Sequence, residues 1–263
     1  MSMFEGLRFR SISSPLHRID PRAKFIYVCV LFAAAIMFSQ LIPLLILFFS
    51  QTPLVMVAKI KREWLRLMRG AAFFAALIFI TNAVSLYFYG GYPSIPAIIE
   101  RSLAMTARFI ILVESFSIFF ATTSPDMLSL SLEQVGIPYE FCFAFITAIR
   151  FVPVLAEEAQ TIIDAQRTRG LELERGNFIK RIRNYIPILI PLIVSAIRRS
   201  MELAEAMESR AWGASKKRTN LYSLKMSMKD YLFISISAIM LVLSLYVCFF
   251  IYIPSLTELM HLV

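Results

Sequence analysis

The sequence predicts an all-α integral membrane protein with about five transmembrane helices and a charged helical subdomain inserted before the last span. Three observations predict it. The 263-residue chain is 58% hydrophobic with 23 Phe, and its mean hydropathy is +0.69; soluble domains run at roughly 45–50% apolar. Several apolar runs approach the ~20 residues that cross a bilayer as helix. The net charge is +9 although only 17% of residues are charged, and Lys and Arg fall on alternate loops only.

The elements follow in order. Residues 1–24, "MSMFEGLRFRSISSPLHRIDPRAK", are polar and basic and have no apolar core of a cleavable leader, so they are expected to stay in the mature protein as an N-terminal segment. Residues 25–122 hold four transmembrane helices. The apolar stretch from Phe25 to Ala58 is too long for one span and contains "SQLIP", so it reads as helices at 25–39 and 43–58 joined by a tight turn. A basic block, "KIKREWLRLMRG" (59–70), precedes a third run at 70–89. "GGYPSIP" (90–96) has turn chemistry, and a fourth run covers 97–122. The last span is 229–254, followed by a tail at 255–263.

Of the 27 Lys and Arg, five lie in 1–24, five in 59–69 and fifteen between Arg150 and Lys229. Arg101 and Arg108 remain, early in the fourth span, where they are expected to snorkel to the outer interface. The positive-inside rule therefore predicts a cytoplasmic N-terminus, a cytoplasmic 123–228 region and an extracellular C-terminus.

Region 123–228 mixes apolar stretches with dense charge. In "TTSPDMLSLSLEQVGIP", Ser124 is a natural N-cap, Pro125 stands at the first helical position and Asp126 follows in the first turn. Gly136 and Pro138 stop that helix. A long helix is predicted from Tyr139 to Arg169, kinked at Pro153 and ending at Gly170. After the charged connector "LELERGNFIKRIRNY", a second runs from about Pro187 to Trp212. The apolar portions, 141–156 and 186–197, are shorter than a span and merge into charged helix. They predict a cytoplasmic or interfacial subdomain rather than two further spans.

The two long helices end alike. "AQRTRG" (165–170) and "AMESRA" (206–211) align at an offset of 41 as [DE]-A-x-x-[ST]-R. Each ending is explicable as capping, since Arg in a last turn complements the helix dipole by roughly 0.3–1 kcal/mol. Their repetition, on helices expected to direct both Arg tips away from the membrane, points further. The planar guanidinium pairs bidentately with carboxylates, so two Arg-tipped helices imply two docking sites on a cytoplasmic partner.

Four segments carry a family resemblance: "SSPLHRIDPRAK" (13–24), "TTSPDML" (122–128), "AIRFVPVLAEEAQTIIDAQRTRG" (148–170) and "RRSMELAEAMESRAWG" (198–213). Together and in this order they resemble the transmembrane T component of energy-coupling factor (ECF) transporters, the EcfT/CbiQ family. The resemblance implies a cytoplasmic subdomain of long coupling helices and a scaffold without catalytic groups or cofactor. Two cytoplasmic ABC ATPases (EcfA/A′ or CbiO type) would bind ATP and dock at Arg169 and Arg210, with Thr168, Gly170, Ser209 and Ala211 as the small neighbours that let the helix ends fit. A membrane-embedded, substrate-binding S component would sit against the coupling helices, with Pro153, Pro187 and Pro191 on that surface. The assembly would import a vitamin or transition-metal ion across a prokaryotic cell membrane. The sequence departs from the family's usual Ala-Arg-Gly ends, with Thr-Arg-Gly and Ser-Arg-Ala.

The remaining polar residues point less far. Glu114 lies about 12 Å deep in the fourth span at helical rise; an intramembrane acid is either functional or a neutral group bonded to a neighbouring helix, with Asn82 the expected partner. His17 is expected to order the N-terminal segment and His261 to be solvated. Cys29, Cys142 and Cys248 stand in apolar runs without further ligands at metal spacing and are expected to be buried. The basic residues flank apolar segments, which argues for a lipid bilayer and against nucleic acid. The alternative function, an integral-membrane enzyme acting at the cytoplasmic membrane surface, lacks a nucleophile–base pair, metal cluster or nucleotide-binding motif in the sequence.

Overall fold

The computed structural model describes residues 14–89, 94–173, 177–214 and 224–251; the tail at 255–263, with His261, lies outside them. Regular structure among the described residues is helical throughout: a short 3-10 helix, Pro15–Arg18, and α1 (Pro21–Met37), α2 (Leu41–Ala58), α3 (Lys61–Tyr89), α4 (Ile95–Thr122), α5 (Pro125–Val135), α6 (Tyr139–Thr168), α7 (Phe178–Glu208) and α8 (Met228–Phe250). The chain divides within α5 into two compact units, one comprising Phe9–Ser131 and Leu224–Val263, the other built on Leu132–Ser223.

In the first unit α4 packs against α1, α2 and α3, and α8 packs on α1. The core is Tyr27, Leu31, Ala34 and Ala35 of α1, Leu44 and Leu47 of α2, and Ala104 and Ile111 of α4. Beneath it, Leu16 of the 3-10 helix meets Val55, Ala58, Ile60 and Ile118. The outer surface is apolar, with Phe73, Phe88, Leu243 and Phe249 exposed, as lipid requires. This corrects the expectation for the cysteines. Cys142 is buried, but Cys29 and Cys248 are exposed, because an apolar residue in a membrane helix has an apolar medium on its outer face too.

Five helices are long and apolar enough to cross a membrane: α2, α3, α4, α6 and α8. Two members differ from the sequence expectation. Helix α1 has 17 residues, about 25 Å at helical rise against a hydrocarbon core of ~30 Å. Helix α6 runs through Pro153 as expected, but its apolar stretch is long enough to cross a membrane, longer than the 141–156 portion read from the sequence. The basic block at 61–69 forms the first turns of α3.

Several polar groups of this unit turn inward and find partners. On α4 the hydroxyls of Ser102, Thr106, Ser115 and Thr122 donate to carbonyls four residues back at 2.7–2.8 Å. Ser115 Oγ also lies 3.2 Å from Gln51 Oε1 of α2. Arg108 does not snorkel outward. Its Nε and Nη2 donate to the carbonyls of Ala35 and Phe38, at 2.9 and 2.7 Å, closing the open end of α1.

The 3-10 helix and the N-termini of α1 and α8 are tied together by a buried knot. Asp230, 3% exposed, accepts from the backbone N–H of Asp20 at 2.9 Å and of Ser227 at 2.6 Å. Asp20 in turn caps α1 through Arg22 N–H. Ser14 Oγ and His17 Nδ1 lie 2.6 Å apart, which holds the 3-10 turn as the sequence suggested for His17. Burial, helped by Lys24, pushes the His17 imidazole below its ordinary pKa. Replacing Asp230 by Ala strands two backbone donors. The expected cost is about 2–3 kcal/mol, seen as a lower unfolding temperature of the detergent-solubilised chain; an unchanged transition would show that the knot does not hold these termini.

Candidate partner-docking site

Helices α6 and α7 pair antiparallel, as their contacts show in sequence. Tyr139 and Phe143 at the start of α6 meet Trp212 just past α7, with ring centroids 5.3 and 4.4 Å away. At mid-length Glu158 accepts from Ser195 Oγ and pairs with Arg199 Nη2 at 2.9 Å. At the far end Gln166 Nε2 donates to Pro187 O at 3.4 Å, and beyond it Asn184 Nδ2 donates to Glu172 O at 2.9 Å.

Helix α7 begins at Phe178, not near Pro187, so Pro187 and Pro191 lie inside it. A proline cannot supply the amide that its own i−4 carbonyl needs. Pro191 thus leaves Pro187 O open, and the Gln166 side chain of α6 fills it. The broken ladder becomes a joint between the helices. Pro153 is half-buried within α6 and Pro191 is exposed.

The repeated sequence is a repeated hydrogen-bond pattern. At the end of α6, Gly170 N–H donates to Arg167 O at 2.9 Å and Leu171 N–H to Gln166 O at 3.0 Å. Forty-one residues on, Ala211 N–H donates to Glu208 O at 2.9 Å and Trp212 N–H to Met207 O at 3.0 Å. Both are Schellman endings, which require a left-handed residue after the cap; Gly170 has φ 86° and Ala211 φ 57°. The hydroxyl of the motif has its own task. Arg169 N–H turns to Gln166 O and Arg210 N–H to Met207 O, so the carbonyls of Ala165 and Ala206 lose their usual donor. Thr168 Oγ1 fills the first at 2.8 Å and Ser209 Oγ the second at 3.0 Å. The shared Ala, hydroxyl and Arg are therefore one device for closing a helix.

Arg169 and Arg210 occupy the same position, the last residue before the chain reverses. They and their neighbours Thr168, Gly170, Ser209 and Ala211 are exposed, and neither Arg forms an ion pair among the described residues. Antiparallel pairing sends the two tips to opposite ends of the helix pair rather than out on one side. About 26 residues of α6 separate Phe143 from Arg169, so the tips stand roughly 40 Å apart.

Glu114 is bonded to a neighbouring helix, but not through Asn82. Fully buried, it accepts from Trp64 Nε1 of α3 at 3.0 Å, whereas Asn82 Nδ2 donates to Ile78 O of its own helix at 2.8 Å. Asn82 lies 18 residues beyond Trp64 on α3, several turns from the depth of Glu114. Trp64 and Trp212 are functional candidates that the sequence reading passed over. The signal for Trp212 was its place directly after the second motif, in "SRAW".

A Cβ added at Gly170 would meet nothing within 4 Å, so Gly170→Ala introduces backbone strain alone. It should weaken the end of α6 by about 1 kcal/mol, and Ala211→Gly should strengthen the end of α7 by a similar amount. Hydrogen exchange of the amides at 169–171 and 210–212 reads both; equal protection in wild type and variants would contradict the two endings as described.

Comparison with known proteins agrees with this architecture. Residues 12–221 match the CbiQ family, described as "Cobalt transport protein". An energy-coupling factor transporter transmembrane protein EcfT of Brevibacillus brevis is 33% identical over 247 residues, covering 86% of this chain and 91% of the relative. The EcfT of Thermotoga maritima is 30% identical over 267 residues, covering 93% and 94%, and that of Staphylococcus aureus 33% over 241 residues, covering 85% and 89%. With the family match spanning most of its length and these relatives aligned nearly end to end, the chain belongs to the EcfT/CbiQ family, the transmembrane component of energy-coupling factor transporters.

Proposed function

We propose that this chain is the non-catalytic scaffold of an ECF-type importer, linking two cytoplasmic ABC ATPases to a membrane-embedded S component that binds a vitamin or a transition-metal ion. The observation that carries this reading is the pair of identically built Arg ends at opposite ends of α6 and α7. Two guanidinium tips roughly 40 Å apart are too far separated for one small pocket and suit two protein partners of similar build. Each Arg is fixed at its base by three hydrogen bonds of the helix ending and free at its fork, which suits insertion into a carboxylate-bearing groove. Thr168, Gly170, Ser209 and Ala211 keep the surroundings small enough for a partner to close over the fork.

The S component would take the apolar faces that the described residues leave uncovered. On α7 these include Ile186, Leu189, Ile193 and Ile197, which recur at helical spacing, beside Pro187 and Pro191; Pro153 stands on α6. ATP would be bound and hydrolysed by the partner subunits, and this chain would carry their motion through α6 and α7. The distribution of Lys and Arg favours a cytoplasmic N-terminus and an extracellular C-terminus by the positive-inside rule.

The test is recruitment. Arg169→Ala and Arg210→Ala should each weaken association with the co-expressed ATPases by about tenfold, and the double variant by roughly a hundredfold if the distant sites add. Uptake into cells should fall with it. A double variant that recruits both ATPases and supports full uptake would remove Arg169 and Arg210 from the docking role.

A further inference from the structure

The two Arg ends share their hydrogen bonds but not their means of holding them. At the end of α6 the left-handed residue is Gly170, which adopts φ 86° without steric cost. At the end of α7 the same place is taken by Ala211 at φ 57°, a conformation in which a Cβ crowds the following carbonyl. Something beyond local preference must keep Ala211 there. The next residue is Trp212, whose N–H closes the ending on Met207 O at 3.0 Å. Its indole sits against Phe143, 4.4 Å between centroids, and Tyr139, 5.3 Å. Those two rings themselves stack at 6.1 Å, so the first turn of α6 offers a ready aromatic seat.

We propose that Trp212 is the positioning residue of the Arg210 tip. Seated on Tyr139 and Phe143, it holds Ala211 in the left-handed conformation and thereby fixes the direction in which Arg210 leaves the helix. The inference rests on the docking role given to Arg210 above. It makes the two docking arms unlike. The Arg169 arm is set by a glycine, whose left-handed conformation needs no contact to hold it. The Arg210 arm is set by a contact between α7 and the other long helix, so any movement that lifts Trp212 off α6 lets Ala211 relax and withdraws Arg210. One arm is a fixed anchor and the other responds to the packing of α6 on α7.

Substitution of Trp212, alone and with Ala211, tests this in the full chain in nanodiscs. Trp212→Ala should raise hydrogen exchange at the Ala211 and Trp212-position amides by roughly tenfold, with the amides at 169–171 and the centre of α6 unchanged, which also reports that the chain is folded. It should reduce association of the co-expressed ATPases to the level of Arg210→Ala. Trp212→Phe should retain most of the association. The deciding variant is Trp212→Ala with Ala211→Gly. A glycine needs no aromatic support, so this double variant should regain protection and ATPase association, as a direct contact of Trp212 with the ATPase would not allow. The inference fails if Trp212→Ala leaves exchange and association at wild-type values, or if adding Ala211→Gly restores neither. If Arg210→Ala itself leaves association intact, the docking role falls first, while the exchange measurements still decide whether Trp212 holds the ending.

Discussion

Every α-helix leaves its last four carbonyls without intrahelical donors, and this molecule's candidate site is built from the way two long helices meet that constraint. Each reverses through a left-handed residue, returns two backbone amides to the final turn and spends a hydroxyl on the carbonyl that the cap residue gives up. The Arg sits at the last position before the reversal, so its backbone is held while its side chain is exposed. Rigid presentation of this kind lets a long, flexible side chain serve as a defined contact rather than a mobile charge. Had the helices frayed, the same residues would be two more basic groups on an already basic surface.

The same rule of satisfied polar groups shapes the apolar unit. Its outer surface is Phe, Leu and Ile, and several of its polar side chains turn in. Glu114 meets Trp64, Ser115 meets Gln51, and Arg108 closes α1. Helix α4 bears most of this traffic because it packs on three neighbours. Four of its hydroxyls, those of Ser102, Thr106, Ser115 and Thr122, bond back to their own helix, where small side chains let helices approach. The Asp230 knot ties together segments separated by some 210 residues of sequence, and so joins the start of the first helix to the start of the last.

Irregular positions are where the second unit is joined. Pro191 opens a carbonyl, and the other helix fills it through Gln166. Ala211 takes a conformation that alanine rarely adopts, and Trp212 reaches to the other helix beside it. At both ends of the α6–α7 pair a departure from ideal helix coincides with an interhelical contact.

Much of this was legible in the sequence because it is local. Apolar run lengths and composition determine the all-α membrane architecture; "SQLIP" marks the short break between α1 and α2; Ser124 caps α5, with Met127 N–H at 3.3 Å from its Oγ; Gly136 and Gly170 end helices in the left-handed conformation; and the 41-residue repeat fixes which two Arg are equivalent. Caps, periods and breakers act within a turn or two of chain, so neighbouring residues state them outright. Only the tertiary structure decided that the equivalent ends point to opposite ends of the pair, that α7 continues through two prolines back to Phe178, that Trp64 rather than Asn82 meets Glu114, and that Trp212 seats on Tyr139 and Phe143. Each of these depends on which distant helix supplies the missing donor or the facing ring. A residue states what partner it needs, and the packing of helices far apart in sequence determines which partner it meets.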